Sequence, residues 1–173
     1  MQGMTKRERQ ITDPEQIQKI LDTAGVLYLG LCVNNEPYVV PMNYGYTMED
    51  EKLVLYLHSA LKGKKLDMIR ENPKVFFALD CDRLPFAGQV ACQYGLAYSS
   101  VMGRGTACIV EDVEEKKKAM SVLMKTQTQK DFTFNERLVS IVAVIRIDVS
   151  EYTAKKRPIP EKTEVRMYGR QQA

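Results

Sequence analysis

Along most of this chain hydrophobic and polar residues alternate with a period of two, the pattern of strands whose two faces meet different surroundings. In "VLYLGLCV", Leu27, Leu29, Leu31 and Val33 fall on one side, "NNE" supplies turn residues, and "PYVVPMNYGY" follows, so the pair predicts a hairpin. After the acidic stretch "MEDE", "KLVLYLH" alternates again. So does "KVFFALDCD", with Val75, Phe77, Leu79 and Cys81 on one face. "RLPFAGQVACQYGLAYSS" shows no clear period, but from Tyr98 to Val110 a strand pattern resumes. Gly103 and Gly105 interrupt it, which predicts a bulge or a sharp bend at a barrel corner. The last long run, "LVSIVAVIRIDVSEY", places Val139, Ile141, Ala143, Ile145, Ile147 and Val149 on one parity. Val142 and Val144 make its first half apolar on both faces, so one side is expected inside a barrel and the other under a helix or a second subunit.

A helical period appears three times. In "TDPEQIQKILDTA", Thr12 and Glu15 form an expected capping box, Pro14 sits in the first turn, and Ile17, Ile20 and Leu21 share a face. "LKGKKLDMIRE" predicts a short helix that stops at Asn72, because Pro73 disfavours helical geometry in the residue before it. In "EDVEEKKKAMSVLMKTQTQ", Val113, Met120, Leu123 and Met124 lie at helical spacing opposite a lysine face, and the methionines read as core filling rather than as ligands. The count is about six strands and three helices. Strands joined by hairpins rather than by regular helical crossovers predict a mainly β fold with flanking helices, an antiparallel barrel rather than a doubly wound sheet.

Composition narrows the function classes. The 173 residues suit one domain with its own core. Lysine and arginine number 25 against 22 acidic residues, and a net charge of +3 spread along the chain does not focus the potential that nucleic acid recruits. "MQGMTKRERQITDPEQ" has no apolar leader core and no later run has the length of a membrane span, so a cytoplasmic protein that does not enter a membrane is expected. Cys32, Cys81, Cys92 and Cys108 show no metal-ligand spacing and the chain has one histidine, so no metal site is expected. Reduced, mostly packed thiols are the expectation.

The candidate chemistry lies in "LYLHSALKGKKLDMIRENPKVFF". A strand ends at His58 and Ser59, then the chain turns through Gly63 into a helix start, which aims free backbone N–H groups at one spot beside Lys64 and Lys65. That arrangement suits a phosphate monoester, although a solvated lysine turn has the same sequence. Each exposed charge contact contributes about 0.3–1 kcal/mol, so a larger apolar or aromatic group must supply the remaining affinity, and a nucleotide-like cofactor fits better than free phosphate. In "YVVPMNYGY", Pro41 cannot donate to a ladder, which leaves backbone groups around Met42, Asn43 and Tyr44 for a planar heterocycle; an ordinary edge strand has the same signature.

The order "RERQITDPEQ", "EPYVVPMNYGY", "LYLHSALKGKKLDMIRENPKV", "YSSVMGRGTA" and an acidic helix, over residues 7 to 155, resembles the flavin-binding split-barrel proteins related to pyridoxamine 5'-phosphate oxidase. Within them it is most similar to the 5-nitroimidazole-resistance type. The resemblance implies a six-stranded antiparallel split β-barrel, one domain with a C-terminal tail from 156 to 173, and a homodimer with FMN at the subunit interface. It implies that Pro41, Met42, Asn43 and Tyr44 lie along the flavin ring and ribityl chain. His58 and Ser59 would lie near the flavin, and Gly63, Lys64 and Lys65 would hold the phosphate. Tyr98, Ser100 and Val101 of the second subunit would close the site. The chain lacks the tryptophan and the arginine-rich C-terminal signature of the oxidases proper. The implied activity is therefore reduction of a small electrophile, with a nitroaromatic as one class and NADH, NADPH or a similar donor, and with His58 as the catalytic candidate. No GxGxxG is present, so a nicotinamide donor would visit rather than occupy a Rossmann fold. The rival reading is a non-catalytic module that stores or senses flavin, or that holds haem through His58. A lone histidine is also commonly a structural, hydrogen-bonded residue.

Overall fold

The computed structural model describes residues 6–49 and 52–160. Its elements run, after a short 3-10 turn, as β1 (Gln10–Ile11), α1 (Pro14–Thr23), β2 (Val26–Val33), β3 (Glu36–Glu49), β4 (Lys52–Ser59), α2 (Lys64–Glu71), β5 (Lys74–Phe86), β6 (Gly95–Val110), α3 (Val113–Thr128), α4 (Glu136–Ser140) and β7 (Ala143–Arg157). Every strand pairing is antiparallel, and the order β2-β3-β4-β7-β6-β5 returns to β2 through Tyr28↔Ala78, Leu29↔Phe77 and Gly30↔Phe76. Six strands thus close a barrel, and the seventh, β1, pairs with β7 over two residues.

Closure follows from parity. Leu27, Leu29 and Leu31, then Leu53, Leu55 and Leu57, then Val75, Phe77 and Leu79, then Ile145 and Ile147 turn inward and form one buried cluster. Ile17, Ile20 and Leu21 of α1 and Leu66, Met68 and Ile69 of α2 join it from two of the helices packed on the barrel. Asn34 and Asn35 take positive φ of 51° and 63°, as a two-residue hairpin between β2 and β3 requires. The register of β6 on β7 slips between Arg104 and Gly105, where a Cβ on Gly105 would stand 2.4 Å from the Asp148 carbonyl oxygen. The expected bend is there.

Four expectations need correction. The cap of α1 is Asp13, which accepts from the Glu15 amide at 3.1 Å with Pro14 at the helix start, so Thr12 does not form the capping box. Helix α2 begins at Lys64, not Leu61, because Gly63 takes φ 146°, a conformation that favours glycine and that a helix cannot contain. The last strand begins at Ala143: Asn135 accepts from the Leu138 amide at 3.0 Å and caps a short helix over Glu136–Ser140, leaving Ile141 exposed. Three of the four cysteines are exposed, since Cys32 and Cys108 fall on the outward parity of their strands and Cys92 on a surface turn; Cys81 is buried, and burial first of all pushes its thiol up to about 11. The C-terminal residues 161–173 of the expected tail lie outside the described residues, and β7 extends to Arg157.

Candidate functional site

Strand β3 changes partners halfway. Glu36 to Asn43 are in register with β2, whereas Tyr44 to Glu49 are in register with β4. Past the pair Tyr44↔Leu57, β4 continues to His58 and Ser59, which stay paired with Val144 and Ala143 of β7 but have no registered partner on β3. The two strands part there. Pro41, two residues before the change, has no N–H to offer a neighbour, so the sequence at this edge suits an opening better than a ladder.

Helix α2 follows that opening in the chain, with four residues between Ser59 and Lys64. Its core side is fixed by Leu66, Met68 and Ile69, and its N-terminus is pinned over the first half of β3. Lys64 Nζ lies 3.2 Å from Glu36 Oε1 and 5.3 Å from the centre of the Tyr38 ring. No side chain caps the helix; the Leu66 and Asp67 amides turn back to the Gly63 carbonyl at 2.9 and 3.4 Å. The first-turn amides of Lys64 and Lys65 have no acceptor within a helix, so the turn presents backbone donors, with the Lys64 ammonium held toward Glu36 and Tyr38.

The expected residues divide into three groups. Pro41 and Asn43 are exposed on the outward parity of β3, His58 and Ser59 are half-buried at the end of β4 past its last registered pair with β3, and Gly63, Lys64 and Lys65 form the turn into α2. His58 Nδ1 is buried with no hydrogen-bond partner, and Ser59 Oγ donates to the Ala60 carbonyl at 2.9 Å. Met42, Tyr44 and Val101 point into the core. The Tyr44 hydroxyl donates to the Leu21 carbonyl, and burial first of all raises its phenol above the ordinary range. From these three positions only backbone can face a ligand. Tyr98 and Ser100 sit on the outward face of β6, beyond β2 and β5 from the opening, roughly 14 Å away at the usual strand spacing. Lys155 Nζ lies 5.3 Å from the Tyr98 ring centre, while Ser100 Oγ is buried without a partner.

Two features escaped the sequence reading. Gln127 of α3 donates from Nε2 to the Tyr44 carbonyl at 2.8 Å and to the Gly25 carbonyl at 3.1 Å, bracing β3 at its change of partners. No local signal marks it, since one glutamine near a helix end is unremarkable in sequence. The other is an outward apolar face on β3, β2 and β5, where Val26, Tyr28, Val39 and Phe76 are 37%, 39%, 64% and 42% exposed, values that identify surface rather than core. Its signal was the apolar doublets "VV" and "FF", which put one member on each face. Among the described residues, no cluster of His, Cys, Asp and Glu could hold a metal, and no helix is long and apolar enough to cross a membrane.

Known proteins resemble this chain in sequence and in fold. The sequence model of the family described as Pyridoxamine 5'-phosphate oxidase matches residues 13–156. A crystal structure of a candidate 5-nitroimidazole antibiotic resistance protein from Bacteroides thetaiotaomicron is 32% identical, with a TM-score of 0.71 over 85% of this chain and 86% of that one. An FAD-binding protein from Mesorhizobium loti is 25% identical, with a TM-score of 0.61 over 87% and 98% of the two chains. An FAD and heme binding protein from Mycobacterium smegmatis shares the fold at 14% identity, with a TM-score of 0.74 over 88% and 76%. No curated protein matches the chain.

Proposed function

The chain belongs to the pyridoxamine 5'-phosphate oxidase family, and from that membership we propose that it binds FMN in a homodimer and reduces a small electrophile, with nitroaromatics as one class and NADH, NADPH or a similar donor. One observation carries the reading: β3 and β4 part at Asn43 and His58, and the chain leaving β4 there turns through Gly63 into the uncapped start of α2, whose Lys64 reaches Glu36 on the same β3. The residues present fit a flavin mononucleotide. The amides and ammonium groups of Gly63, Lys64 and Lys65 would hold the phosphate; the exposed Lys64–Glu36 pair is worth about 1 kcal/mol or less, so Lys64 can exchange a carboxylate for a phosphate at little cost. Pro41, Met42, Asn43 and Tyr44 would hold the ring system through backbone groups and the Asn43 amide.

Bound FMN supplies a two-electron carrier for hydride transfer. His58 would hold a proton on its imidazole for delivery to the reduced substrate, and Ser59 would line the same wall. An unpartnered buried polar atom costs about 1–3 kcal/mol, and the Nδ1 of His58 and the Oγ of Ser100 each carry that cost in the isolated chain. Both costs are relieved if a ligand and a second copy supply partners. The bare face around Tyr28, Val39 and Phe76 supports such a copy, because contiguous exposed apolar residues mark contact surfaces. That copy would bring its Tyr98, Ser100 and Val101 to the opening.

Anaerobic titration of the FMN-loaded protein with NADH and NADPH tests the activity. We expect bleaching of the flavin band and its return on adding a nitroaromatic, and His58→Ala should retain FMN while losing roughly 10²-fold in turnover. A flavin that is held tightly but that neither nucleotide reduces points to the storage or sensor reading, and a Soret band points to haem. Unchanged turnover in His58→Ala removes that residue from the mechanism.

A further inference from the structure

The carboxamides of Asn43 and Gln127 form a closed network at the parting of β3 and β4. Gln127 Nε2 donates to the carbonyls of Tyr44 at 2.8 Å and Gly25 at 3.1 Å. Asn43 Nδ2 donates to the same Gly25 carbonyl at 3.3 Å and to Gln127 Oε1 at 3.3 Å. The oxygen and nitrogen of a side-chain amide are ordinarily hard to tell apart, but here the chemistry decides. Backbone carbonyls only accept, so the nitrogen of each amide must face Gly25. All four amide N–H bonds of the pair are then directed inward. The remaining group is Asn43 Oδ1, which accepts no hydrogen bond among the described residues and belongs to an exposed side chain at the opening.

A free asparagine can rotate to meet either a donor or an acceptor. This one cannot, because turning its NH₂ outward breaks the bonds to Gly25 and Gln127. We infer that Asn43 Oδ1 reads an N–H donor on the bound ligand, namely the imide N3–H of a flavin's pyrimidine ring, and that Gln127 is the positioning residue that locks Asn43 as an acceptor. This inference rests on the flavin reading above and adds a chemical preference to it. A ligand edge presenting only carbonyl oxygens at this point is disfavoured, as is a flavin whose N3–H is replaced. The network also ties the ring-binding strand to α3 and to the loop after α1, so an element distant in sequence sets the polarity of the site.

The test is equilibrium binding of FMN and of N3-methyl-FMN to the full chain freed of flavin, followed by flavin fluorescence. The wild type should prefer FMN about 30-fold, since an acceptor that the bound ring removes from water and leaves unpaired rejects the analogue lacking its partner. Asn43→Leu keeps the bulk without the acceptor, and its ratio should fall to about 1; Gln127→Leu should lower the ratio to roughly 3 while its affinity for N3-methyl-FMN stays near that of the wild type. Circular dichroism confirms folding of both variants, and the wild-type ratio needs no variant at all. A wild-type ratio near 1 overturns the inference and leaves the flavin reading intact. A ratio that persists in Asn43→Leu means that the methyl group clashes rather than lacks a partner, and overturns it too. A ratio undiminished in Gln127→Leu removes the positioning role. A wild type that binds neither flavin overturns both readings.

Discussion

On the outside of the barrel, the wall made by β4, the second half of β3 and the first half of β7 is roofed by α3, while the wall made by β2, β5 and the first half of β3 lies bare. Both walls carry outward apolar residues. Under the roof, Tyr56, Val110 and Val144 meet Ala119 of α3 and are buried. Gly45 lets the helix come so close that a Cβ there would stand 2.4 Å from Leu123 Cα. Polar contacts secure both ends of α3, through Glu115 on Arg146 at 3.0 Å and Gln127 on the Tyr44 carbonyl. On the bare wall, Tyr28, Val39 and Phe76 have no such cover among the described residues. An apolar outward parity is therefore covered once within the chain and once left exposed among the described residues, and the opening between β3 and β4 falls on the border between the two.

The largest test of this contrast acts on the roof. Gly45→Val should destabilise the protein by about 3 kcal/mol in urea unfolding, because the neighbouring atoms are helix backbone and cannot yield. A loss below about 1 kcal/mol would mean that α3 does not seat as described. On the bare wall, Phe76→Glu should do the reverse: monomer stability within about 0.5 kcal/mol of wild type, but dimer affinity in sedimentation equilibrium about 100-fold weaker. Unaltered association would move the interface elsewhere. At the border, the double change Lys64→Ala and Lys65→Ala should weaken FMN retention about 10-fold with the fold intact, as two exposed charge contacts predict. Equal flavin content would count against the phosphate assignment.

The smallest effect concerns pH. Burial raises the Tyr44 phenol above its ordinary value of 10.0, so the folded chain keeps a proton that the unfolded chain releases. Its contribution is fully present below pH 10 and is lost as pH rises beyond it, by about 1 kcal/mol near pH 11. Tyr44→Phe should flatten stability against pH between 9 and 11, and identical slopes in mutant and wild type would refute the assignment.

The sequence made the barrel legible because its inward parity is nearly unbroken: Leu27 to Leu31, Leu53 to Leu57 and Val75 to Leu79 each fall inside as alternation predicts. It was misleading over Leu138 to Val142, where a strand-like run folds instead as a capped turn because Asn135 supplies a local hydrogen bond that hydrophobic period cannot register. At the site, residues near in sequence were legible, as in the turn from His58 to Lys65. What was not legible came from across the chain: the brace from Gln127 to Tyr44 spans 83 residues, and the inward aim of Met42 and Tyr44 depends on which face of β3 the barrel takes. The expected contribution of Tyr98 and Ser100 depends on a second copy, whose placement one chain's alternation does not encode.

In the proposed function, the opening between β3 and β4 is a flavin site completed by a second copy of the chain. Gel filtration of the protein after loading with FMN and removal of the excess, with absorbance followed at the protein and flavin bands, measures both parts at once. A yellow species at the mass of a dimer carrying one FMN per chain is expected. A colourless protein after loading, or flavin eluting with a monomer, would contradict it.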